Sequence, residues 1–558
     1  IFFMPESIPS DRIHSVNKIG GKNMSKPEDV GRLVQTLSDR GEAATYVMSA
    51  FTKVTNELYA AMDKLNGQYF CNDRMMNAGF EPVQAIHHDF IDKHIEKKRQ
   101  SEARALYTRA FMWLKHDLQM HRSRVTTILA PGEDTYKIRD QVIGFGEHMS
   151  PALMAIYLQQ LGFKVNHIQG VQALGEVQVN GQISVDKLHE SMREGIQASV
   201  KPSIDETREG VIRLIGGHIS GTPHGIAVDV GRSYTDTTAV NTAFALRDAG
   251  EPIEVIRYWK DVDAVMTANP KDLDPKKNRA RPIPEMSFTE GLEAATGGSQ
   301  LVHIDALAMA RSEEERTDSY KQMRIELSNI ERPEEEAGTV FSNKEKTSEK
   351  PFKCIASNKH VDTITVTIPA MANRKGFLSA ISDVLERNGL SIDTFTTEGT
   401  SIFCSVDLPQ DDADKTEMRK AIETACKEMD SLTVGGENYS IPEGAIEWRE
   451  NLASLSIVGN ELVDKQGALT WITSILAAHD INIEVISHTT NQKRVTIFVD
   501  ERQLKNAVQA IHSVLVDGNQ DDIQYLVDRR VSALKALSQA FQKRDSLPPV
   551  ATDVLNRD

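Results

Sequence analysis

The chain has 558 residues, 40% hydrophobic and 26% charged, with a formal net charge of −16. That length exceeds one hydrophobic core and predicts about three or four domains, while the acidic balance argues against a nucleic-acid partner without excluding a local phosphate site. Four scattered cysteines (Cys71, Cys354, Cys404, Cys426) contain no CxxC pair, indicating neither a disulfide frame nor a zinc site, and no apolar run nears the ~20 residues of a membrane span, so a reduced, cytoplasmic compartment is expected.

The opening Ile1-Phe2-Phe3 is too short for a signal peptide. Residues 13–19 read as a strand, Gly20-Gly21 as a turn, 27–40 as a helix and 44–50 as a second strand. From about 57 to 127 the apolar spacing is mostly helical. Residues 145–161 continue that pattern, and 164–168 and 211–217 read as strands. Strands alternating with helices predict an α/β body over 13–330 with a mostly parallel sheet between helices. The Glu- and Lys-rich run 331–350 reads as a linker or exposed hairpin. Two similar segments follow, 351–450 and 451–517, each the size of a βαββαβ (ferredoxin-like) module. Their likeness is plainest in Asn388-Gly389-Leu390-Ser391-Ile392-Asp393 beside His479-Asp480-Ile481-Asn482-Ile483-Glu484. A charged helical tail closes the chain at 518–558.

Two blocks carry the chemistry. In 228–239, Arg232, hydroxyls including Thr235, and Asp236 form a turn that runs into a helix, an arrangement that aims backbone N–H groups at an anion. In 256–271, a short apolar strand ends in Asp261 and Asp263, followed by a Pro-bounded loop that ends at Lys271, as at a nucleotide rim. There is no GxxxxGK[ST] loop and no protein-kinase HRD or DFG set. His87, His88 and His94 lack metal-ligand spacing.

Six segments, in order, resemble the aspartokinases, members of the amino-acid kinase fold. Lys18-Ile19-Gly20-Gly21 is similar to KFGGTS, and Val47-Met48-Ser49-Ala50 through Thr55-Asn56 to VSAxxxxTN. Gly146-Glu147-His148-Met149-Ser150 is similar to GExxS, read as a helix start, and Gly231 through Asp236 to GRGGSD or GRGYTD. Trp259 through Lys271 is similar to WTDVxGxYTxDPR, and Gly298 through His303 to FGAKVLHP. The two repeats resemble paired ACT domains.

The resemblance implies transfer of the γ-phosphoryl group of ATP, with Mg²⁺, to the side-chain carboxylate of L-aspartate. Lys18 and Asp236 are its catalytic candidates, and Ser49, Thr55, Glu147 and Arg232 its aspartate-binding ones. Gly20, Gly21, Thr235, Lys260, Asp261, Met266 and Lys271 are expected at the nucleotide. Read singly, Ser49 and Thr55 are equally ordinary loop caps, and Glu147 a favourable first-turn acid. Met371, Phe377, Leu378, Asp393 and Thr397 are similar to the family's effector pocket, expected to take lysine or threonine as feedback inhibitor of lysine and threonine biosynthesis. ACT domains further imply a homodimer or higher homo-oligomer. Departures from the pattern include Lys22-Asn23 in place of Thr-Ser, Ser233 in place of Gly and Gln300 in place of Lys. They keep two alternatives open: a same-fold kinase for another acidic metabolite, or a weakly active amino-acid-sensing regulatory subunit.

Overall fold

The computed structural model describes residues 13–65, 73–122, 133–179, 182–204, 210–231, 233–299, 301–316, 323–344, 352–369, 375–409, 412–459, 462, 467–488 and 493–529. The chain divides into two compact units.

The first unit is built on an eight-stranded sheet. Its strands are β1 (His14–Ile19), β2 (Ala43–Met48), β3 (Val165–Ile168), β4 (Ile212–Gly216), β5 (Ile253–Lys260), β6 (Glu285–Ser287), β7 (Arg324–Asn329) and β8 (Thr339–Ser342). They lie in the order β3-β4-β2-β1-β5-β7-β8-β6, with every pair parallel except β7–β8. Strand β2 is buried at every residue and β1 at all but its first, as a sheet covered on both faces requires. Covering helices include α1 (Gly21–Met24), α2 (Val54–Leu65), α3 (Glu133–Gln160), α4 (Val185–Val200) and α5 (Tyr234–Asp248). Helix α5 is buried from Tyr234 through Leu246 because it packs on β1, β5 and α4 together.

Two expectations change here. Part of the run 331–350, expected as a linker or exposed hairpin, is a strand of the sheet: β8 pairs antiparallel with β7 and parallel with β6, and its Thr339 is fully buried. Glu147 does not open a helix either. It lies in the middle of the 28-residue α3, which also contains Pro151. Proline has no N–H to bond the carbonyl four residues back, here that of Glu147.

In the second unit a six-stranded sheet joins β9 (Cys354–Thr367), β10 (Phe395–Thr397), β11 (Ser401–Asp407), β12 (Ile446–Val458), β13 (Val485–His488) and β14 (Arg494–Asp500) in the order β10-β11-β9-β12-β14-β13. The two βαββαβ modules share its long central strands. The later part of β9 pairs with β11, whereas its start, Cys354 to Asn358, pairs with Val458 to Ser454 of β12. The second module therefore draws its fourth strand from ahead of the first, so the modules interlock instead of following one another at residue 450. A register shift marks the crossover, with His360 on β9 at φ 63° and Asn451 on β12 at φ 61°. Helices α6 (Phe377–Arg387) and α7 (Asp412–Met429) cover the first module, and α8 (Ala468–Ala478) and α9 (Leu504–Ile511) the second. Each module closes its own apolar core.

Candidate active site

The adjacent strands β4, β2, β1 and β5 end along one edge of the first sheet, where doubly wound α/β folds place their ligands. Lys18, next to last in β1, is paired in register with Val47 and Tyr258. Its ammonium lies 2.5 Å from Asp236 Oδ1, and both side chains are buried. Asp236 Oδ2 accepts a hydrogen bond from the His303 backbone N–H at 3.1 Å and stands 3.9 Å from Lys260 Nζ. Burial opposes ionisation of Asp236, but the charges of Lys18 and Lys260 and hydrogen bonds from Lys18 and His303 hold its carboxyl below the ordinary range. Burial and the Lys18 charge push Lys260 the other way, down to about 8.

The Gly20-Gly21 turn fits into this edge because it has no side chains. A Cβ on Gly21 would come 2.5 Å from the Ala50 carbonyl oxygen, and one on Gly20 3.4 Å from Lys18 Nζ. Asn23 donates to the Trp259 carbonyl at 2.9 Å, tying α1 to β5, and Lys22 pairs with Asp261.

A second group surrounds Glu147. Its Oε1 accepts hydrogen bonds from Ser49 Oγ at 2.9 Å and Thr235 Oγ1 at 3.2 Å. Burial raises the Glu147 carboxyl above its ordinary value, opposed by the Ser49 and Thr235 hydrogen bonds and by the charges of His218 and Lys18. Thr235, expected at the nucleotide, thus has its hydroxyl on this carboxylate. Thr55 is half-buried in the first turn of α2. Ser233, where the family pattern has glycine, takes the left-handed conformation at φ 70° and N-caps α5, so that turn does demand a positive φ. Arg232 lies outside the described residues.

The remaining expected residues lie on other segments. Met266 and Lys271 belong to the second unit: Met266 packs on the core of the second module, and Lys271 is exposed in the short turn Pro270–Asp272. Among the effector candidates, Met371 lies outside the described residues. Phe377 is buried in the core of the first module, while Leu378, Asp393 and Thr397 are exposed. Asp393 lies two residues ahead of β10. Desolvation and the Asp393 charge push Asp407 up to about 6, so two carboxylates act on each other there. His87 is fully buried, and desolvation holds it down at about 4.

The family model for the amino acid kinase family matches residues 15–317. The chain belongs to that family. A second model, for an ACT domain, matches residues 455–515. Over 512 residues this family member is 24% identical to aspartokinase 2, chloroplastic, of Arabidopsis thaliana, covering 90% of this chain and 84% of the relative. Its fold matches E. coli aspartokinase III in complex with aspartate and ADP, at a TM-score of 0.62 and 19% identity, over 90% of this chain and 99% of that one. The same enzyme in complex with lysine and aspartate gives a TM-score of 0.63 at 18% identity and the same coverage. Among the described residues, no helix is long and apolar enough to cross a membrane.

Proposed function

We propose that the chain is an aspartokinase, transferring the γ-phosphoryl group of ATP to the side-chain carboxylate of L-aspartate to give 4-phospho-L-aspartate and ADP. The observation that carries this reading is the buried Lys18–Asp236 pair at the strand ends with half-buried Lys260 beside it, next to a glycine turn and a separate buried carboxylate. The acceptor carboxylate has an ordinary pKa of about 3.9 and is ionised at neutral pH, so no general base is needed. The barrier is electrostatic, one anion approaching another, and preorganised cations lower it. Asp236 holds Lys18 and Lys260 at one place, where Lys18 meets the transferring group. Glu147 and the Ser49 hydroxyl receive the acceptor's ammonium, and Arg232 its α-carboxylate, a planar fork suited to that anion.

Among the described residues no group of three or more His, Cys, Asp or Glu side chains could hold a metal ion, and Asp236 is already engaged by two lysines. Mg²⁺ is read as part of the substrate, carried on the nucleotide phosphates, where it neutralises charge. Feedback by lysine or threonine is read at the first module, where the Asp393 and Asp407 carboxylates suit an amino group. Its short edge strand β10 is read as the surface through which copies pair.

The test is a hydroxylamine trap for acyl phosphate with MgATP and aspartate, glutamate or no acceptor. Hydroxamate with aspartate alone is expected. Glutamate-dependent product moves the enzyme to another acidic metabolite, and no product with either acceptor leaves a regulatory subunit.

A further inference from the structure

His218, just past the end of β4, is 2% exposed, and its Nε2 lies 2.9 Å from Asp140 Oδ1. The same oxygen accepts the backbone N–H of Ile226 at 3.1 Å. One buried carboxylate on α3 thus ties down both ends of the segment from 218 to 226. Two glycines make the room. A Cβ on Gly144 would come 2.7 Å from His218 Cε1, and one on Gly225, at φ 84°, 2.9 Å from Asp140 Oδ1. Across Ile226, His224 donates its backbone N–H to Asp229 Oδ2 at 2.9 Å, and its Nδ1 lies 2.8 Å from Asp229 Oδ1. The described part of the loop runs on to Gly231.

Asp140, Gly144 and Glu147 sit at i, i+4 and i+7 and share one face of α3. The His218 ring lies on that face between the two acids, next to Gly217, where a Cβ would come 2.4 Å from Glu147 Oε2. The ring's other nitrogen, Nδ1, is buried with no hydrogen-bond partner among the described residues. Buried polar pairs add little net stability over apolar packing, and an unsatisfied nitrogen lowers it further. Stability alone is a poor reason for this arrangement.

We propose that Asp140 and His218 are positioning residues that fix the 218–231 segment against the helix carrying Glu147, and so hold that carboxylate in place for the acceptor's ammonium. This rests on the reading of Glu147 as the ammonium partner. The phosphoryl group is held elsewhere, by Lys18, Asp236 and Lys260, so loosening the anchor affects the acceptor and spares the nucleotide.

The experiment measures KM for aspartate and for ATP in the parent, Asp140→Asn, His218→Phe and His218→Gln. Displacements of about an ångström cost up to roughly a hundredfold, so KM for aspartate is expected to rise about ten- to a hundredfold in His218→Phe and Asp140→Asn, with KM for ATP nearly unchanged. His218→Gln keeps an N–H donor at similar reach and should recover most of the loss. Amide exchange over 218–231 should quicken in the two damaging variants, a readout that survives loss of activity. Parallel changes in both KM values, or equal behaviour of the Phe and Gln variants, overturn the proposal. A parent with no aspartate-dependent turnover rejects the functional reading instead.

Discussion

Lys260 is the residue at this edge whose charge is most exposed to pH. With its pKa pushed down to about 8, the ammonium is present below that pH and lost above it. If it neutralises nucleotide phosphates, kcat/KM for ATP should fall as pH rises through about 8, the range set by the free enzyme. Lys260→Arg keeps its charge in that range, so the fall should move to higher pH. An unchanged profile in the variant would assign the titration to another group. At this scale the sequence is informative near strand ends: Lys18 is next to last in its strand, Ser49 follows the last residue of its strand, and Lys260 closes a strand that the sequence pattern ends one to three residues later. It was silent about Asp140 and His218, which are far apart in the chain, belong to no motif and meet only through the fold.

At the scale of elements, the order of strand and helix in the first unit follows from apolar runs and glycine turns, and β1, β2, β4 and β5 fall close to their expected ranges. Motif shape misled at Glu147. A Gly-Glu pair with a downstream Ser and Pro looks like a helix start, yet apolar residues spaced from Ile138 through Leu158 keep one face of α3 buried throughout. Strand β8 was hidden because it is short and flanked by charge. The close fit of β4 to α3 gives a test. Gly217→Ala would put a methyl 2.4 Å from Glu147 Oε2 and 2.5 Å from Thr235 Cγ2. The carboxylate must move, so steady-state kinetics should show a higher KM for aspartate, by about tenfold or more, with ATP affected less.

For the whole molecule, the sequence repeat announced two similar modules but not their shared strands. The pairing of Cys354–Asn358 with the second module involves residues about a hundred positions apart, and strand periodicity carries no record of its partner. Regulation belongs to this scale. An effector shifts activity only by its difference in affinity between two states. If lysine or threonine acts through the Asp393 carboxylate, Asp393→Ala should raise the inhibitory concentration about tenfold or more, the loss of one charge-assisted contact, while uninhibited turnover stays near parental. Inhibition curves that superimpose would move the effector elsewhere.

The central claim is that the buried Lys18–Asp236 pair is where phosphoryl transfer occurs. The direct measurement is single-turnover and steady-state hydroxamate formation by Lys18→Ala, alongside calorimetric binding of aspartate. Loss of one preorganised cation should lower turnover by about two to four orders of magnitude while aspartate still binds. Turnover near the parental rate would contradict the account.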